Sequence, residues 1–151
     1  MTRTRQRGVT LIEVVVAIVI VSIAAIAILA AISWTMQRGA EAAVRQQAVA
    51  VAEAYLEEIL LQPIAIPTGA APTSNRALMS YEDEYNNLND TGAYDQYGNS
   101  IPSLTGYNVS VSVAQTTALT GITAANARQI TVTVTDPNGV AVVLSGYRAN
   151  Y

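Results

Sequence analysis

The sequence predicts an α+β fold: a lollipop, with one long N-terminal helix packed against a small antiparallel β-sheet. Three observations predict it. The 24 residues from Val9 to Ile32 form an apolar run that carries one charge, Glu13. Val44, Ala48, Val51, Tyr55 and Ile59 then recur at helical steps, one stripe of an amphipathic helix. Near the other end, Tyr107, Val109, Val111 and Val113 alternate with Asn108, Ser110 and Ser112. Ile130, Val132 and Val134 alternate with Thr131, Thr133 and Thr135 in the same way, the pattern of half-buried strands.

Composition narrows the function before any motif is considered. The 151 residues carry a net charge of −3, no cysteine and no histidine. Without cysteine there is neither a disulfide nor a thiolate metal site. Without histidine the commonest general base and the usual zinc ligand are missing, which argues against an enzyme and against a cofactor. Arg3, Arg5 and Arg7 precede the apolar run, whereas from Trp34 onward five arginines stand against ten acids. An acidic body of this kind does not attract nucleic acid, which needs clustered cations to displace counterions.

The apolar run spans about 36 Å as a helix, enough for a bilayer core of about 30 Å with some tilt. The expected membrane-helix positions include Val14, Val16, Ile18, Ile20, Ile23, Ile26, Leu29 and Ile32. Basic residues before the span and an acidic body after it predict a cytoplasmic N-terminus and an external body. Trp34 falls where an amphipathic ring suits the headgroup interface. A plain single-span anchor fits these facts. A secretory signal cut after Ala27 fits less well, because Glu13 interrupts the run and apolar residues continue to Ile32. A carboxylate in such a segment costs roughly 2.5–3.5 kcal/mol near the bilayer centre and usually serves a function.

The stretch Gly8-Val9-Thr10-Leu11-Ile12-Glu13, with its basic leader and apolar sequel, resembles the processing motif of type IV prepilins and type II secretion pseudopilins. The resemblance implies a pilin-like fold. It also implies cleavage after Gly8 by a prepilin peptidase and methyltransferase, N-methylation at Val9, and a role for Glu13 in filament assembly. Val9 stands where the family usually has Phe or Met. On this reading residues 1–8 are the leader, 9–33 the transmembrane and filament-core helix, 34–62 its amphipathic half and 63–151 a periplasmic or extracellular β-rich head. The implied partners are other pilin subunits, the inner-membrane assembly platform and, before assembly, membrane lipid. The implied location is the bacterial inner membrane, then a filament.

Further along, no proline occurs between Val9 and Gln62, and Gly39 is the one glycine in that interval, a possible weak point. Glu41 and Arg45 are spaced for an i,i+4 ion pair. Pro63 to Met79 reads as a loop. Tyr81 to Asn87 reads as a solvated, tyrosine-bearing surface loop, and its continuation is rich in carboxylates. Asp83, Asp90 and Asp95 are Ca²⁺-ligand candidates on this composition, although their spacing does not match an EF-hand. Residues 115–127 read as a Thr/Ala-rich link. Asp136-Pro137-Asn138-Gly139 is a turn, and Val140 to Tyr147 is the returning arm of a hairpin.

Three softer stretches are similar to the D-type minor pilins of MSHA (mannose-sensitive haemagglutinin) pili: Glu53 to Leu60, Tyr81 to Leu88 and Leu144 to Tyr151. Major type IV pilins usually have a proline in the membrane half of the helix and a C-terminal disulfide loop, and both are missing here. The K-type tip subunit usually lacks the glutamate that Glu13 supplies. A minor pilin is the leading expectation and a minor pseudopilin of type II secretion the runner-up. A pilus-borne adhesin is a third reading, since exposed tyrosines suit glycan stacking.

Overall fold

The computed structural model describes residues 8–64, 69 and 71–150. Arg3, Arg5, Arg7 and the rest of the leader before Gly8 lie outside the described residues. The element order is helix α1 (Leu11–Leu60), then strands β1 (Asn89–Asp90), β2 (Asn108–Gln115), β3 (Ala127–Thr135) and β4 (Ala141–Ala149). Short 3₁₀ turns lie at Arg76–Leu78, Glu82–Tyr85, Pro102–Leu104 and Ala124–Asn126. The class is α+β, as the sequence predicts. The chain forms two compact units that divide after Ala42, and α1 contributes to both.

In the first unit α1 begins at a cap. The Thr10 carbonyl accepts from Glu13 N at 3.1 Å and Val14 N at 3.2 Å, and its Oγ1 lies 3.4 Å from Glu13 N. Such a cap satisfies donors that a helix start leaves open. No residue from Leu11 to Ala42 is buried. The segment is long and apolar enough to cross a membrane. Two of its hydroxyls beyond the cap return to the helix: Ser22 Oγ donates to Ile18 O at 2.7 Å and Thr35 Oγ1 to Ala31 O at 2.9 Å. Neither is left unpaired in an apolar medium. The helix runs through Gly39 without a break. Trp34 instead carries the Arg38 guanidinium 3.6 Å from its ring centroid, a cation–π pair one turn apart.

The second unit is a four-stranded antiparallel sheet in the order β1-β2-β3-β4, with the second half of α1 on one face. Alternation fixes which face. Val109, Val111 and Val113 from β2, Ile130, Val132 and Val134 from β3, and Val142 from β4 all point inward and are buried. They meet Ala48, Val51, Ala52, Tyr55 and Ile59 of α1, with Val44 half-buried beside them. The predicted stripe is the packed one; Ala52 belongs to it as well. The β3–β4 register is unbroken from Ala127↔Ala149 to Thr135↔Ala141. Asp136 closes that hairpin: its Oδ1 accepts from Asn138 N at 2.9 Å and Val140 N at 2.8 Å. Gly139 takes φ +79°, the left-handed conformation the turn requires.

Several expectations need correction. The Tyr81–Asn87 segment is not a solvated loop: Glu82 and Tyr85 are buried in it. Its carboxylates make it look hydrophilic, but they face arginines far off in sequence. The short strand β1 was not expected; it lies within polar sequence and pairs only Asn89 and Asp90 with Ser110 and Val109. The returning arm runs two residues further, to Ala149. Among the described residues no ion pair joins Glu41 to Arg45, and both are exposed to water, where such pairs are weak.

Gly146 sits where β4 passes under α1. A Cβ there would lie 3.1 Å from Leu56 Cδ1 and 3.2 Å from Leu60 Cδ1. Gly146→Val should destabilise the head by about 1–3 kcal/mol through overpacking, with Gly146→Ala costing less. Denaturant unfolding of the two variants checks this; equal stability to the parent chain would show that the helix yields freely at this contact.

Candidate functional site

The N-terminal constellation is built by the start of α1. Gly8 and Val9 precede the helix, both exposed, and a Cβ built on Gly8 would meet nothing within 4 Å. Nothing among the described residues obstructs the Gly8–Val9 bond. Glu13 lies in the first helical turn, not deep within the span. Its side chain is exposed on the same concave face as Val9, Ala17 and Val21. The unsatisfied amides of a helix N-terminus carry about half a positive charge, so the chain itself already favours an anion at this position. Thr10 was not singled out from sequence, yet a Thr followed three residues later by Glu is a recognisable capping signal. Val14, Val16, Ile18, Ile20, Ile23, Ile26, Leu29 and Ile32 are all exposed, between 47% and 68%. They ring the helix, and apolar surface on every side implies lipid or other subunits around it.

The three calcium candidates do not converge. Asp83 holds Arg128 through two bonds, Nε to Oδ1 at 2.7 Å and Nη2 to Oδ2 at 3.1 Å. Asp90 Oδ2 accepts from Arg76 Nη1 at 3.0 Å and from Tyr55 OH at 2.8 Å. Asp95 Oδ1 caps a turn by accepting from Tyr97 N and Asn99 N at 2.9 and 2.8 Å. The Asn99 side-chain and backbone donors hold its carboxyl below the usual range. Among the described residues no three metal-ligating side chains gather.

Asp83 and Asp90 instead bind arginines of the head. Arg76 is buried and bridges Glu58 of α1, at 2.9 Å, to Asp90 of β1. Its guanidinium also lies 4.3 Å from the Tyr55 ring centroid. Burial pushes the Tyr55 and Tyr85 phenols well up. They remain protonated and donate to Asp90 and Glu58 at 2.8 and 2.9 Å. Arg148 of β4 reaches the Leu60 and Gln62 carbonyls at the end of α1, and Glu82 Oε1 at 3.1 Å. So Arg76, Arg128 and Arg148, dispersed in sequence, are internal ties between helix, turn and sheet. Sequence reasoning missed them because each ion pair joins residues 14 to 66 positions apart.

The two units differ in character: one is an exposed apolar helix, the other an α+β head tied by ion pairs. Residues 3–32 match the family model described as the prokaryotic N-terminal methylation motif. The match contains Gly8, Val9 and Glu13 and supports the type IV prepilin and pseudopilin family for this chain. A motif of this kind implies processing by a prepilin peptidase and assembly with other pilin subunits. No curated protein matches the chain, and no solved structure does.

Glu82 adds a titration. It is fully buried, and among the described residues its Oε2 has no hydrogen-bond partner. Burial pushes its carboxyl up; Arg148 opposes that, Asp83 adds to it and Arg128 opposes it. A raised folded pKa means that the folded state holds the proton more tightly than the unfolded one. Glu82 therefore supports folding most below its unfolded pKa of about 4.3, and that support is lost as pH rises through the folded value. The stability of Glu82→Gln relative to the parent should rise with pH across this interval. Urea unfolding of both chains between pH 4 and 8 measures it; a difference independent of pH would remove Glu82 as the titrating group.

Proposed function

We propose that the chain is a structural minor pilin of a type IV pilus, most similar to the D-type subunits of MSHA pili. It is made as a single-pass inner-membrane protein with a cytoplasmic N-terminus. Cleavage after Gly8 and methylation of Val9 prepare it for the filament. The observation that carries this reading is Glu13: one carboxylate, placed in the first turn of a helix that is apolar on every side, inside a methylation motif.

The chemistry follows from the cut. In the uncut chain Val9 N is an uncharged amide. Hydrolysis makes it an amine, whose ordinary pKa near 7.7–8.0 leaves it largely protonated at neutral pH. Once the helix leaves lipid for a filament core, Glu13 and the Val9 amine of a neighbouring subunit neutralise each other. A misplaced subunit leaves a buried charge unpaired, at about 3–5 kcal/mol, so the pair selects register more than it adds stability. The head supports a structural role too. Arg76, Arg128 and Arg148 are paired internally with Glu58, Asp83, Asp90 and Glu82, and are not displayed as a basic patch.

Mass spectrometry of chain recovered from membranes should show N-methyl-Val9 as the first residue; an intact leader, or a cut after Ala27, overturns the reading. Glu13→Val should still insert and be processed, yet its content in sheared filaments should fall at least tenfold. Undiminished incorporation would remove the docking role. Loss of the gene should impair piliation and leave protein secretion intact, the reverse being the outcome for a pseudopilin.

A further inference from the structure

The two edges of the head sheet are treated differently. The β2 edge is covered along its length. There β1 pairs with it, Asn87 N donates to Val111 O and Val111 N to Leu88 O, both at 3.0 Å, and Val113 N donates to Asn86 Oδ1 at 3.0 Å. At the β4 edge, among the described residues, no backbone group of Ala141, Val143, Ser145 or Tyr147 bonds outward. Nor does β4 carry the usual protections. It has no proline, its register shows no bulge, and its one charge, Arg148, turns inward to Glu82.

The hydrogen-bond parity of the hairpin tells which groups are free. Asp136 N donates to Val140 O and Asn150 N to Asn126 O, at the two ends of the β3–β4 ladder. Even-numbered residues of β4 therefore bond to β3, and the N–H and C=O of Ala141, Val143, Ser145, Tyr147 and Ala149 face the open edge. The same odd residues hold their side chains on the sheet face away from α1. Val143 is 57% and Tyr147 48% exposed, and Ser145 Oγ lies 3.1 Å from Thr131 Oγ1.

We propose that this edge pairs with the β4 edge of a second copy, antiparallel and centred on Ser145. The strand is self-complementary in that register. All nine residues are used, every free odd-numbered N–H and C=O finds a partner, and Val143 faces Tyr147 of the other copy twice. A β-branched residue opposite an aromatic is a favourable cross-strand pair, and no like charges meet. The two-fold axis runs normal to the sheet, so it reverses the direction of the α1 segment packed on each sheet. The contact therefore joins heads whose helices run in opposite directions. Successive subunits of one polar filament cannot make it. If the pilin reading holds, it is a contact between filaments; the pairing itself does not depend on that reading.

Disulfide trapping in the full chain, purified in detergent, tests this directly, since the chain has no native cysteine to interfere. Facing residues of a hydrogen-bonded antiparallel pair have Cα atoms about 5.5 Å apart, within disulfide reach. Under mild oxidation the Ser145→Cys chain should form a covalent dimer. Val143→Cys alone should not, because the two copies of that position lie about 14 Å apart along the strand. A mixture of Val143→Cys and Tyr147→Cys chains should cross-link as a heterodimer. Val143→Pro removes an outward N–H and no bond to β3, so adding it to Ser145→Cys should reduce dimer yield at least tenfold while unfolding stays cooperative. Val143→Lys with Ser145→Cys gives the same reading if the proline variant does not fold. Cross-linking at Val143 equal to that at Ser145, or yield unaffected by either edge variant, would overturn the proposal.

Discussion

The head depends on one packing constraint: the Ala48, Val51, Ala52, Tyr55 and Ile59 stripe of α1 must lie on the valine and isoleucine face of β2 and β3. Small residues at 48 and 52 bring the backbone close to the sheet, and Tyr55 and Ile59 fill the space beyond. The approach is tight enough that β4 passes beneath Leu56 and Leu60 with a glycine. A two-stranded hairpin is marginal in water, and this surface is what stabilises a sheet whose strand β1 has only two residues. Tyr55 also links the core to its polar border. Its ring is buried, while its hydroxyl accepts from Tyr94 N and donates to Asp90, both at 2.8 Å.

Around that core the chain uses arginine where many secreted domains use disulfides. Arg76 fixes β1 to α1, Arg128 fixes the Glu82–Tyr85 turn to β3, and Arg148 fixes β4 to the end of α1. Bidentate guanidinium geometry suits this work better than a lysine point charge. Buried pairs of this kind stabilise little over an apolar core of equal volume. Breaking one, however, leaves a buried charge at about 3–5 kcal/mol, so they define the structure more strongly than they stabilise it. Glu82 is the exception, because Arg148 divides its donors among three acceptors and leaves one carboxylate oxygen without a bond.

What could be read from sequence was what is periodic. The α1 stripe, β2, β3 and the Asp136–Gly139 turn depend on local spacing, and each stands where the spacing puts it. The Glu82–Tyr85 turn was opaque for the opposite reason. Its residues look solvated until Arg128 and Arg148 are brought to them by sheet pairing, and no local pattern signals partners 45 and 66 residues away. Strand β1 was likewise invisible, since two polar residues pair there only because β2 offers an edge. At the N-terminus the motif was legible because it is contiguous in sequence.

The position of Glu13 in the first turn of α1 sets its electrostatics. A carboxylate in the middle of a span has only solvation to lose. One in the first turn, beside the Thr10 cap, already faces the positive end of the helix dipole. On the proposed reading Glu13 needs no partner before processing, and removal of the leader would place a new cation about one turn from the same carboxylate. In the proposed filament each helix end presents both an amine and an acid at nearly the same level. There a neighbour one helical turn further along the axis would bring its Val9 amine level with Glu13, and the spacing of the two residues would set the subunit stagger.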